Sequence, residues 1–391
     1  MVVDFKELQN KLAENKVYDA WQYVQSLIET LTFMNASYTL LENVYEHRKN
    51  VLNATSQELF NAAHEHKGEP VTVTVDHLSR THLNIAGLEI DDSLYLRKTA
   101  LEFFHYARLS VDVISQIINA ALFGNDSYPV NEMNLPKKVS DKLGQTASFK
   151  TIQMLLADGI ANDEIKYLYA FDNYIKHVKT ILITVKNSFM IGTNDEFQIT
   201  NFTYKATPYQ SMDTMPKTTA VRNEVIKLIE GVLTELVNQV PNCVNNNGRY
   251  HSIHFKQILQ DTEKGSVLKY ISYFIEVEND LSELPTQIKV MPLIIKPNNE
   301  IYSFVLDMDN IFIALKGEGE SGVIGVATLQ AGTDSNEIYK TYNISACTMP
   351  TYYEYIMNFA KNHHHIAFNY YAMAGEVILL KDEKNTFEDG E

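Results

Sequence analysis

Between positions 17 and 66 the chain contains neither proline nor glycine, and its large side chains recur at alternating steps of three and four. Val17, Trp21, Val24, Ile28, Leu31, Tyr38, Leu41, Tyr45, Leu52, Thr55 and Leu59 therefore mark one apolar seam, the spacing of a long bundle or coiled-coil helix. Unbroken, that helix is about 75 Å long at 1.5 Å per residue. A helix longer than a small domain is wide packs on a second long helix or on another subunit. Asn35, Arg48 and Asn53 weaken the seam and leave room for a break between Asn50 and Thr55.

Gly68 and Pro70 close this segment, and Val71-Thr72-Val73-Thr74-Val75 alternates with period two, which predicts a short strand. A turn-rich stretch surrounds Gly87 and Asp91-Asp92. Helical spacing resumes over 93–122, and 124–144, with Pro129 and Pro136, reads as a loop. Further helices are expected near 149–157, 163–190 and 222–240, with strand character between 196 and 210. Pro241-Asn242-Cys243-Val244-Asn245-Asn246-Asn247-Gly248 is the clearest linker signal and places a domain boundary near Asn245. Beyond it, short apolar runs at 287–295, 301–308, 311–315 and 323–329 are punctuated by turn residues, as in an antiparallel meander or sandwich. A helix at 350–362, a final hairpin over 366–380 turning at Ala374-Gly375, and a charged tail from Lys381 complete the reading. The expected fold class is α+β. Residues 1–244 form an α-helical bundle with a short β-hairpin, and residues 245–391 a mainly antiparallel β domain with one helix.

With 391 residues, 45% of them hydrophobic, the chain is long enough for two globular domains, each with a core of its own. Its formal charge of -16 repels a phosphate backbone over the surface as a whole. Cys243 and Cys347 lie far apart in neither a CxxC nor a zinc spacing, which suits a reducing cytoplasm. Acidic residues at Asp4 and Glu7 interrupt what a signal peptide would need, and no run approaches the roughly 18 apolar residues of a spanning helix. A cytoplasmic protein without a membrane partner is expected.

Two helical segments carry rows of ionisable side chains on otherwise apolar backgrounds. In the first, Glu102, His105, Arg108 and Asp112 share one face at steps of three and four. In the second, Asp172 pairs in register with Lys176, and Asn173 with His177. One reading of the first row is a solvated face with intrahelical ion pairs; the other is a polar pocket between helices, which requires partners on a facing helix.

The second row resembles the motif of the HEPN superfamily, helical-bundle proteins of prokaryotic immunity and toxin systems. Those enzymes carry an Arg followed four to six residues later by His, often with Asn just after the Arg, at the start of a bundle helix. Asn173 and His177 match that spacing and Lys176 is a common neighbour, whereas Asp172 stands where the Arg belongs. The resemblance covers the helical region from about 93 to 190. It implies a dimeric, metal-independent ribonuclease in which His177 is the polar catalytic group, Asn173 and Lys176 position phosphate, and Arg108 replaces the lost cation. Alternatively it implies a related bundle without nuclease activity, because an Asp opposes phosphate binding.

Other chemistry-bearing patterns are weaker. His363-His364-His365 and His64-Glu65-His66 lack a carboxylate or cysteine at ligand spacing. Gly265-Ser266 with Glu276 and Glu278 is loosely similar to a nucleotidyltransferase pattern, but with Glu where such enzymes mostly use Asp. Asp307 and Asp309 share one side of a strand just before a turn at Asn310, where Asp is favoured for local backbone bonding. Walker A, GxGxxG, GxSxG and HExxH patterns are absent. No metal and no cofactor are expected. The function expected is that of an interaction or assembly protein, in a phage or anti-phage setting, whose HEPN-like bundle serves dimerisation or sensing. Its partner is a second copy of the chain or another protein, with RNA a partner only for the ribonuclease. A virion structural protein is the third alternative.

Overall fold

A computed structural model describes residues 4–15, 17–65, 71, 72, 74–129, 132–178, 180, 183–186 and 196–240, together with the backbone of eight strands between 250 and 380. The protein is an α+β protein in two compact units. One comprises Met1–Lys11 and Tyr23–Cys243, the other Leu12–Gln22 and Val244–Glu391.

The chain begins with α1 (Phe5–Glu14) and continues into α2 (Tyr18–Glu65), a single helix of 48 residues. The helix is continuous through Asn50 to Thr55, where the weakened seam left room for a break. Val24, Leu27, Leu31, Met34, Leu41, Leu52 and Thr55 form a buried stripe along α2, and Arg48 lies within it rather than interrupting it. Its charge is balanced by the buried carboxylate of Asp92, so the helix tolerates it.

The strand anticipated at 71–75 is absent from its described residues: α3 (Val75–Ser79) starts there instead. The Thr74 N–H donates to His77 Nδ1 at 3.0 Å, closing a capping box at the helix start. β1 (Leu83–Ile85) and β2 (Leu88–Ile90) then form a hairpin. Ala86 and Gly87 take φ of 51° and 82° at its turn, the paired left-handed conformation that matches the twist of two-residue hairpins. α4 (Asp92–Phe123) follows, capped by the Asp91 carboxylate, which accepts from the Ser93 N–H at 2.7 Å.

After α4 the chain turns through Gly124, at φ 53°, and its return is clamped by one side chain. Asn119 Nδ2 donates to the Tyr128 carbonyl at 2.8 Å while the Tyr128 N–H donates to Asn119 Oδ1 at 2.9 Å. The predicted loop at 124–144 contains a helix, α5 (Leu135–Leu143). Pro136 falls in its first turn, where a missing N–H loses nothing. α6 (Lys150–Ala161) and α7 (Asp163–His177) come next, the latter capped by Asn162. α7 ends thirteen positions short of the predicted 190, and the β-branched stretch after it supplies β3 (Ile183–Lys186). β3 pairs with β4 (Glu196–Ile199); β5 (Phe202–Tyr204) and β6 (Thr207–Tyr209) make a second hairpin, turning through Lys205 and Ala206 at φ 46° and 64°. β7 (Met212–Asp213) pairs with β4 and leads into α8 (Thr214–Gln239). α8 starts eight residues before the predicted 222 because Pro216, again in a first turn, is no barrier.

In this unit α4 is central, with neighbours α5, α7 and α8. α2 meets it through Tyr38 on Phe103 and Ser110 on Thr30, and meets α8 where Arg222 Nε donates to Asn35 Oδ1 at 2.9 Å. The core is Phe103, Phe104, Ile114 and Ile117 of α4 with Leu168 and Phe171 of α7 and Val225, Val232 and Leu236 of α8.

The second unit contains β8 (Tyr250–Thr262), β9 (Gly265–Glu278), β10 (Gln287–Ile295), β11 (Ile301–Ser303), β12 (Ile311–Lys316), β13 (Gly325–Ala331), β14 (Lys340–Ile344) and β15 (Ile366–Leu380). The pairing runs β10-β14-β13-β12-β9-β8-β15 and closes where β15 meets β10, with β11 added on the β14 side of β10. A ring of seven strands cannot alternate direction throughout. The parallel pair is β12 with β9, so the meander or sandwich expected from the sequence is corrected to a closed, mainly antiparallel barrel. The hairpin predicted at Ala374-Gly375 is corrected as well. β15 runs straight through, with Gly375 opposite His251 on one side and Pro292 on the other. Gly265, Ser266, Glu276 and Glu278 all lie in β9. The helix anticipated at 350–362, the Asp307 and Asp309 pair, the His363 to His365 run, both cysteines and the tail from Lys381 lie outside the described residues.

Candidate functional site

The two polar rows lie on neighbouring helices, α4 and α7, and part of each is turned towards the other. Aromatic packing sets this arrangement. Phe104 of α4 meets Phe171 of α7 with ring centroids 4.4 Å apart, and Tyr167 lies 5.8 Å from Phe171. The β5–β6 hairpin supports α7 from outside: Phe202 and Tyr209 stack at 4.7 Å, with Phe202 against Tyr174 and Tyr209 against Tyr167. Such ring pairs stabilise beyond the area they bury, which fixes the rotation of α7.

With that rotation set, the polar groups form two small clusters. In the first, Arg108 pairs with Asp112 one turn along α4, and its guanidinium lies 3.3 Å from the centre of the Tyr169 ring. The Tyr169 hydroxyl donates to Asp112 Oδ1 at 3.3 Å. Arg108 Nε is buried with no hydrogen-bond partner. Burial pushes the Asp112 carboxyl above the ordinary carboxylate range, opposed by Arg108 and by the Tyr169 hydrogen bond and reinforced by Asp172. Burial also raises the Tyr169 phenol, which keeps it a neutral donor.

In the second cluster Asp172, only 5% exposed, receives Lys176 Nζ at 2.8 Å and lies 3.7 Å from His105 Nδ1. Glu102, at the outer end of the row, is held by Lys98 at 2.5 Å. Asn173 is half-buried and His177, the last residue of α7, is exposed.

Of the residues singled out by the motif, Lys176 and Arg108 enter these clusters and each faces a carboxylate, while Asn173 and His177 occupy the next strip of α7. His105, Asp112 and Asp172 join across the helix pair, and Glu102 does not cross to α7. The sequence pattern assigns Tyr169 no role. Its signal was present, three residues before Asp172 on the same face, but only the packing of α7 on α4 places the ring under Arg108. Among the described residues no group of three His, Cys, Asp or Glu side chains could hold a metal ion, and no helix is long and apolar enough to cross a membrane. No protein-family model, curated protein or solved structure matches the chain.

Proposed function

We propose that this chain is a cytoplasmic interaction or assembly protein of a phage or anti-phage system, whose HEPN-like bundle serves dimerisation or sensing rather than RNA cleavage. The observation that carries this reading is the internal neutralisation of the polar row. A phosphate approaching Arg108 must displace Asp112, and one approaching Lys176 meets the buried Asp172. Both encounters oppose an anion, as does the net charge of -16. Exposed apolar side chains on α2 support the interaction role. Phe33 and Leu40, seven residues apart and so on one helix face, are 51% and 44% exposed, and Phe60 is 50% exposed.

The ribonuclease reading retains one supporting observation, the accessibility of His177 at the end of α7, where a second subunit can reach it. RNA cleavage by the purified protein, compared with His177→Ala, separates the two. Equal background rates are expected, and a loss of cleavage in His177→Ala would overturn the proposal. Light scattering is expected to report a low-copy assembly; a large ring or lattice would favour a virion component.

A further inference from the structure

The space between α4 and α7 includes a pocket of about 300 Å³, walled by Leu101, Phe104, Phe171 and Ile175 and lined on its polar side by Asp172 and Lys176. Its size is at the lower end of small-molecule sites. We propose that this pocket binds a guanidinium or amidinium cation on a small apolar body, with Asp172 as the receiving anion and Lys176 as the internal cation it displaces.

A carboxylate as buried as Asp172 requires polar partners, and it has Lys176 at 2.8 Å and His105 at 3.7 Å, of which Lys176 is the permanent cation. The lysine is a replaceable partner. Its side chain is 43% exposed and long, so its ammonium can move into water, whereas Asp172 cannot. A planar fork of N–H donors matches both carboxylate oxygens, which a single ammonium does not. Phe104 and Phe171, both fully buried, close the inner end of the pocket, while Leu101 and Ile175 give it apolar walls. Glu102 and His105 also belong to the lining, but Glu102 is already held by Lys98, so Asp172 is the carboxylate that a ligand cation can claim.

The inference gives the sensing reading a ligand class and rests on that reading. The same cation could arrive as a free small molecule or as an arginine side chain of a partner. Calorimetric titration of the whole protein at low salt tests it, with benzamidine as probe and benzamide as its neutral control. A blocked Ala-Arg-Ala peptide, with its citrulline counterpart, forms the second arm. Saturable binding of benzamidine but not benzamide is expected. Asp172→Asn should weaken it by at least about tenfold. Lys176→Ala, which removes the internal competitor, should tighten it by about two- to fivefold. Lys166→Ala makes the same charge change outside the pocket lining and should leave it unaltered. Binding of the peptide as well as benzamidine would assign the cation to a partner's arginine, and binding of benzamidine alone to a free ligand. Failure of the wild type to bind either probe, or an unchanged or weaker affinity in Lys176→Ala, would overturn the inference. Neither result bears on the cleavage and light-scattering tests above, so the two proposals fail separately.

Discussion

Arg48 of α2 and Asp92 at the start of α4 form an ion pair in which each side chain is 2% exposed. Thr81 donates to the other carboxylate oxygen at 2.9 Å, and Arg48 Nη1 also reaches Ser93 Oγ at 3.3 Å, while Arg48 Nη2 is buried without a partner. Removing one member strands a buried charge. Arg48→Ala should therefore destabilise the protein by about 3–5 kcal/mol, and replacing both residues with apolar ones of similar size should recover much of that loss. Chemical denaturation of the two singles and the double measures the coupling. A loss in the double equal to the sum of the singles would show that the pair is not coupled.

Two glycines on the facing helices α6 and α8 should respond oppositely to alanine. A Cβ at Gly159 would collide with the Leu228 side chain, itself buried, whereas one at Gly231 would rest at an ordinary 3.5 Å from Leu155. Gly159→Ala should cost about 1–3 kcal/mol through overpacking despite its better helix propensity. Gly231→Ala should stabilise by about 0.5–1 kcal/mol. Thermal unfolding distinguishes them, and Leu228→Val should relieve Gly159→Ala if the collision is the cause.

The raised carboxyl of Asp112 carries a pH signature. The folded chain holds that proton more tightly than the unfolded chain does, so the stability Asp112 contributes is complete below the ordinary carboxylate value and is lost as pH rises through the raised one. Asp112→Asn cannot ionise. Relative to wild type it should gain stability between about pH 4 and pH 7, softened because 32% of the Asp112 side chain remains in contact with water. Melting temperatures of both proteins at the two pH values check this. A wild-type advantage that grows with pH would mean that pairing with Arg108 outweighs burial.

Tyr169 separates two contributions to the Arg108 cluster. Tyr169→Phe removes the hydroxyl that donates to Asp112 but keeps the ring beneath the guanidinium, and should cost about 0.5–1.5 kcal/mol. Tyr169→Leu removes the ring as well and should cost more, by about 0.5–2 kcal/mol for the lost cation–π contact. Urea midpoints of the two variants measure the difference.

Periodicity exposed much of this architecture. The seam of α2 and the apolar face of α4 were legible because a helix repeats its environment every three or four residues, and the polar rows stood out against that background. What escaped notice depended on partners distant in sequence. Arg48 looked like an interruption because Asp92, 44 positions away, cannot be seen from the helix it neutralises. Pro136 reads as a breaker because its effect depends on which turn of a helix it occupies. Lys205-Ala206 gave no hairpin signal, since neither residue favours the left-handed conformation it adopts. Closure of the barrel was equally hidden, because the pairing of β15 with β10 joins strands with β11, β12, β13 and β14 between them in the chain. For the candidate site, the composition of the rows was readable; their mutual neutralisation required the rotation that Phe171 and Phe202 impose on α7.

The Asn119 amide, bonded both ways to the Tyr128 peptide, does for that residue what an adjacent strand does for its neighbour. Its shape alone is not enough. An aspartate in its place would turn a second acceptor towards the Tyr128 carbonyl, and a leucine would leave both peptide groups without a partner. Exchanging the amide for a carboxylate of the same outline would thus unfasten the return from α4 and loosen the segment leading to α5.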